Sequence, residues 1–152
     1  MDPPIVTPTI VNPTIEKFGY PATLVRELDH WVVLLRPAQV TLGALVLAAK
    51  SDATAFSDLS ADAFAELKRA IGAIERGLTN FRPFERINYL MLMMVDRQVH
   101  FHVLPRYSET QHWNGVGFPD HGWPGPPQLG DAPALGDAQI ELLAQDLARH
   151  LE

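Results

Sequence analysis

Residues 87–95 (INYLMLMMV) and 99–105 (VHFHVLP) are both apolar runs, and only Asp96, Arg97 and Gln98 stand between them. Strand-length runs on so short a connection can pair only by folding back on each other, so the spacing predicts a tight antiparallel hairpin. Side chains of a strand alternate between its faces. Val99, Phe101 and Val103 then point into a core, while Gln98, His100, His102 and Leu104 point the other way. One face of the strand is an apolar anchor and the other a row of hydrogen-bonding groups.

The flanking sequence supplies the partners of that hairpin. TLVREL and DHWVVLLRP read as strand, with Asp29-His30 as a bend and Pro37 as the stop. LGALVLAA is another short apolar run, in which Gly43 marks a close approach or a bulge. After a loop (SDATAFSDLS), residues 60–79 turn helical: Phe64, Leu67, Ile71, Ile74, Leu78 and Phe81 recur at three-and-four spacing. Asp62, Glu66, Lys68, Arg69, Glu75 and Arg76 fall mostly on the opposite face, Ser60 is the N-cap, and Gly77 and Pro83 bracket the exit. A last helix is expected over about 137–151, with Ile140, Leu143, Leu147 and Leu151 as its stripe. Strands around one long helix with a final helix give an α+β domain on an antiparallel sheet. The expected organisation is a single domain with a Pro-rich N-terminal arm (1–21), a core (22–108), a Gly/Pro-rich loop (109–136) and a C-terminal helix (137–152).

Composition removes several functions. At 152 residues the chain can bury a real core, and a net charge of −6 argues against a broad grip on nucleic acid. With no Cys there is no disulfide, thiolate nucleophile or Cys-based zinc site. The longest apolar runs fall short of the roughly 18 residues a membrane span needs, and the start, MDPPIVTPTIVNP, is unlike a signal peptide. These features lead to the expectation of a soluble, cytoplasmic protein without membrane or nucleic-acid partners.

Imidazoles at i and i+2 on a strand admit three readings: nucleophile and partner, shared metal ligands, or a solvated polar face. Zinc sites take three or four ligands, and the further donors His112, His121 and Asp96 have no recognisable spacing, so no metal is expected. QVHFHVLPR, however, resembles the signature of the histidine triad (HIT) family, His-φ-His-φ-His-φ-φ with φ apolar, often followed by Pro-Arg in the dinucleoside-polyphosphate hydrolase branch. The resemblance extends over residues 23–107. It implies an antiparallel sheet of about five strands with a long helix across it, pairing into homodimers, and needing neither metal nor organic cofactor. It also implies a nucleotide hydrolase or nucleotidyl transferase, cleaving a phosphoric anhydride or phosphoramidate through a nucleotidyl-histidine intermediate at the α-phosphate. On the matching positions, His100 is the nucleophile and His102 the third triad histidine, which would hold phosphoryl oxygens or the leaving group.

Gln98 stands where the family has its first histidine, and it can exchange hydrogen bonds but cannot carry charge. Gly43-Ala44 replaces the family's frequent Gly-His, and Arg36 lies where an Asn or Asp for the ribose hydroxyls is common. The Gly-Gln-Ser/Thr-Val phosphate loop is replaced by MMVDRQ. Gln98, Asn88 and Arg36 are the expected substrate-binding residues, Arg36 as a phosphate clamp. The rival expectation is a non-catalytic nucleotide-binding or interaction protein on the same scaffold.

Overall fold

The two strands richest in aliphatic residues lie at the centre of the sheet. A computed structural model describes residues 11–152, and in it β2 (Trp31–Leu35) and β3 (Leu45–Ala49) are buried at every position, because both faces of the sheet are covered. Around them, β1 (Leu24–Glu27), β4 (Arg86–Leu90) and β5 (His100–Arg106) complete a five-stranded sheet in the order β1-β2-β3-β5-β4, antiparallel throughout. The expected architecture of about five strands with a long and a terminal helix is what the chain adopts. Residues 1–10, part of the Pro-rich arm, lie outside the described residues.

One sheet face carries Val33, Leu35, Leu45, Leu47, Val99 and Val103, packed under α2 (Ala61–Phe81) and α3 (Asp137–His150). Helix α2 begins where Ser60 Oγ accepts the Ala63 N–H at 3.1 Å, the expected cap. Its buried stripe holds the expected Ile74, Leu78 and Phe81, with Leu67 and Ile71 half-buried on the same core, but it is wider than expected on one side. Ala63, Glu66, Ala70, Ala73, Ile74, Gly77 and Leu78 face inward, while Phe64 is exposed and stacks on Phe56 with centroids 5.4 Å apart. Glu66 turns inward because its carboxylate accepts the His30 N–H at 2.7 Å, closing the β1–β2 turn. Gly77 is inside the helix and not at its exit: a Cβ there would lie 2.4 Å from Leu151 Cδ1, so only glycine admits the end of α3.

The opposite face carries Val32, Leu34, Val46 and Ala48, and a short helix, α1 (Pro13–Lys17), packs Ile15 onto them. Asn12 caps α1 by accepting the Ile15 N–H, and its amide donates to the Ala49 and Ser51 carbonyls at 2.9 and 3.0 Å. Gly43, with φ +94, forms the turn into β3 and passes close beneath Leu78 and Pro105.

The expected tight hairpin is replaced by a longer connection. β4 and β5 do pair antiparallel, but with Leu90 opposite His102, so residues 91–99 are surplus to the ladder and leave it as a loop. Met93 has φ +46, off the strand conformation, and Met94 and Val95 are exposed, which removes the MLMM run from the core strands. The Gly/Pro-rich stretch also contains a hairpin, β6 (Gln111–Trp113) and β7 (Val116–Phe118), turned by Asn114 and Gly115 at φ +50 and +77. Trp113 donates to Asp146 Oδ2 at 3.0 Å, pinning this hairpin to α3. Among the described residues, no helix is long and apolar enough to cross a membrane.

Candidate active site

β5 projects His100 and His102 from the face covered by α1, opposite Ala48 and Val46 of β3. The rings lie 5.2 Å apart, edge to face, and Phe18 at the end of α1 packs against both at 5.9 and 5.7 Å. Residue exposure is only 1% for His100 and 7% for His102.

Their hydrogen bonds assign opposite tautomers. His100 Nδ1 lies 2.7 Å from the Gln98 carbonyl oxygen, which can only accept, so Nδ1 carries the hydrogen and Nε2 the lone pair. His102 Nδ1 receives the Arg36 Nε–H at 3.2 Å; a guanidinium only donates, so here Nδ1 carries the lone pair and Nε2 the hydrogen. Burial, then the Arg36 guanidinium and the neighbouring His100 ring, hold the His102 pKa down at about 4, because a protonated ring would be poorly solvated and would lose its bond from Arg36. Burial also lowers the Arg36 pKa. Arg36 is fixed by the Ala38 and Leu129 carbonyls at 2.7 and 3.3 Å. One imidazole thus offers a lone pair and its neighbour a donor N–H.

A cavity of about 380 Å³ adjoins the pair, bordered by Lys17, Phe18, Arg36 and residues 92–96. Of the sequence-predicted residues, His100, His102 and Arg36 come together in it. Gln98 contributes differently from expectation: its backbone carbonyl orients His100, while its side-chain oxygen accepts the Thr14 hydroxyl of α1 at 2.7 Å. Asn88 stands apart. It shares the sheet face, but its oxygen accepts Arg106 Nη1 at 2.7 Å, within a network in which buried Arg106 also grips Asp120 at 2.7 and 2.9 Å. That network borders a neighbouring cavity with Arg86 and Trp123. Among the described residues, no three His, Asp or Glu side chains gather as a metal would require.

Lys17 and Phe18 were missed because the arm was read as extended, although Asn12-Pro13 is a helix-start signature, an N-cap followed by Pro at the first helical position. Lys17 reaches across the cavity mouth to Asp96 at 2.8 Å.

No family model matches this sequence, and no curated protein matches it. Solved structures do. A histidine triad protein from Bradyrhizobium japonicum superposes with TM-score 0.68 at 17% identity, over 94% of this chain and 98% of its own. One from Sinorhizobium meliloti gives 0.68 at 20% identity, over 93% and 95%. A hypothetical histidine triad nucleotide-binding protein from Sulfolobus tokodaii gives 0.61 at 18%, over 85% and 83%. This similarity assigns the chain the fold of the histidine triad proteins.

Proposed function

We propose that the protein is a nucleotide hydrolase or nucleotidyl transferase working at the α-phosphate of a nucleotide conjugate or dinucleoside polyphosphate. The observation that carries this reading is the hydrogen bond between His100 Nδ1 and the Gln98 carbonyl, which leaves Nε2 a free lone pair. Nε2 attacks phosphorus while the bond to the leaving oxygen breaks and its electron pair departs with that oxygen. The positive charge developing on the ring is stabilised through Nδ1–H by the carbonyl. His102 Nε2–H donates to a non-bridging oxygen and keeps its proton. Arg36, with three of its five N–H groups committed within the protein, turns its remaining donors and charge toward the phosphate. In the second step water attacks phosphorus, the P–N bond breaks with its pair returning to Nε2, and the water proton goes to solvent. No step calls on a metal or organic cofactor.

Incubation with adenylyl and guanylyl conjugates should yield an acid-labile nucleotidyl adduct on His100 and turnover, both lost in His100→Ala. Nucleotide binding with neither adduct nor turnover would instead establish the binding-protein reading, which the near-complete burial of both imidazoles favours. A homodimer belongs to the same proposal: β4 ends the sheet, leaving an edge to which a second copy can add, and sedimentation tests it.

A further inference from the structure

We infer that residues 91–97 form a flap over the histidines whose apolar side chains select a phosphate bearing an apolar group. The inference rests on the phosphoryl-transfer reading for the anionic head of the ligand. Access is the first argument. His100 is 1% exposed and Phe18 packs against both rings, so a phosphoryl group approaches Nε2 through the cavity that residues 92–96 border.

The two walls differ in how they are held. Helix α1 is anchored by fully buried Ile15, by Asn12 bonded to two β3-side carbonyls, and by Thr14 on Gln98. Among the described residues, no backbone hydrogen bond ties residues 91–97 to the rest of the fold. Met91 and Met93 rest on the core, and the polar tie to α1 is Lys17–Asp96, an exposed ion pair of the weak kind. A segment with so few ties is the one that opens. The flap is the movable wall.

Its chemistry sets the preference. Leu92, Met94 and Val95 are 46%, 81% and 84% exposed, and all three border the cavity that holds the histidines. An apolar ligand group seated there covers surface that water now wets, and methionine adapts to its shape. The cation beside the imidazoles is Arg36, while Lys17 and the carboxylate in the lining, Asp96, are committed to each other, so Asp96 is poorly placed to receive sugar hydroxyls. Head and body of the ligand are therefore distinguished: an anion at Arg36 and the imidazoles, an aryl or alkyl group at the flap.

Calorimetry with naphthyl phosphate and ribose phosphate tests this on the wild type and on a Leu92→Ser/Met94→Ser/Val95→Ser variant, whose exposed positions leave the fold intact by circular dichroism. Naphthyl phosphate should bind the wild type at least about tenfold more tightly, an amount a modest apolar contact supplies. In the variant that preference should disappear with ribose phosphate affinity unchanged. Equal affinities in the wild type, no binding of either, or a preference that survives the triple substitution overturns the inference. So does a change of sedimentation in the variant with the preference intact, which would make the patch a subunit contact. Binding needs no turnover, so the two readings fail separately. A preference lost in the variant without any adduct on His100 removes the transferase and leaves the flap, and an adduct without a preference does the reverse.

Discussion

Replacing Arg36 with Met should raise the pKa of His102, and the structure fixes the direction and bounds the size. In the folded protein His102 is held from its ordinary 6.5 down at about 4, first by burial, then by Arg36 and by His100. That displacement corresponds to about 3 kcal/mol of preference for the neutral ring. Arg36→Met keeps most of the side-chain volume but removes the charge and the N–H bonded at 3.2 Å to Nδ1. Because burial is the larger cause, the pKa should move only part of the way back, stopping short of 6.5. The stability consequence has a definite sign. Between pH 6.5 and about 4 the unfolded chain binds a proton that the folded ring refuses, so stability falls as pH drops through that window, with a ceiling of about 3 kcal/mol from this group. The variant should lose less over the same interval. Imidazole nitrogen shifts followed by NMR report pKa and tautomer together, and urea melts at both ends of the window report the linkage. His102 titrating near 6.5 in the wild type, or unmoved in Arg36→Met, would refute the argument.

Asp120→Ala should destabilise the protein by about 3–5 kcal/mol in urea melts, because it strands the buried Arg106 guanidinium with only Asn88 and the Gly125 carbonyl. Gly77→Ala forces a Cβ to 2.4 Å from Leu151 Cδ1 and should cost about 1–3 kcal/mol; adding Leu151→Ala should recover part of it, since the two positions share one contact. Lys17→Gln severs the tie to Asp96. An exposed pair contributes at most about 1 kcal/mol, so carbethoxylation of His100 and His102, read by mass spectrometry against exposed His112 and His121, should quicken by no more than about fivefold while thermal stability barely changes.

The fold was legible where one physical pattern dominated. WVVLL and LVLAA could only be interior strands, and the Ser60 cap with a 3.6-residue period located α2. Periodicity put Ile74, Leu78 and Phe81 on the inner face of α2 but gave no sign that small residues would share it. Ala63, Ala70, Ala73 and Gly77 took the inner face of α2 because the sheet and α3 approach it closely, which pushed Phe64 outward. Residues 91–95 misled for a related reason: an apolar run was taken as strand, when the pairing register of β4 with β5 had no room for it. The Asn-Gly turn of β6–β7 was a signal in plain view inside a stretch whose Gly and Pro content suggested only loop. Within the site, the histidines and Arg36 were found from strand alternation and motif position. Phe18 and Lys17 lie more than eighty residues away in sequence from His100 and His102, and nothing local to β5 announces that contact.

At Gln98 the backbone and the side chain have different partners. The group that orients His100 is the carbonyl of residue 98, which any amino acid supplies. The side chain at that position is thereby released from orienting His100, and here it receives the Thr14 hydroxyl and holds α1 against the sheet. The same residue therefore couples the docking of Phe18, four residues along from Thr14, to the setting of the His100 tautomer. Thr14→Val separates the two functions: it removes the bond to the side chain and leaves the carbonyl in place. The His100 Nδ1–H tautomer should persist by NMR in that variant, while carbethoxylation of His100 rises as α1 loosens. A switch of the tautomer instead would mean that the side chain, and not the backbone, holds His100 in register.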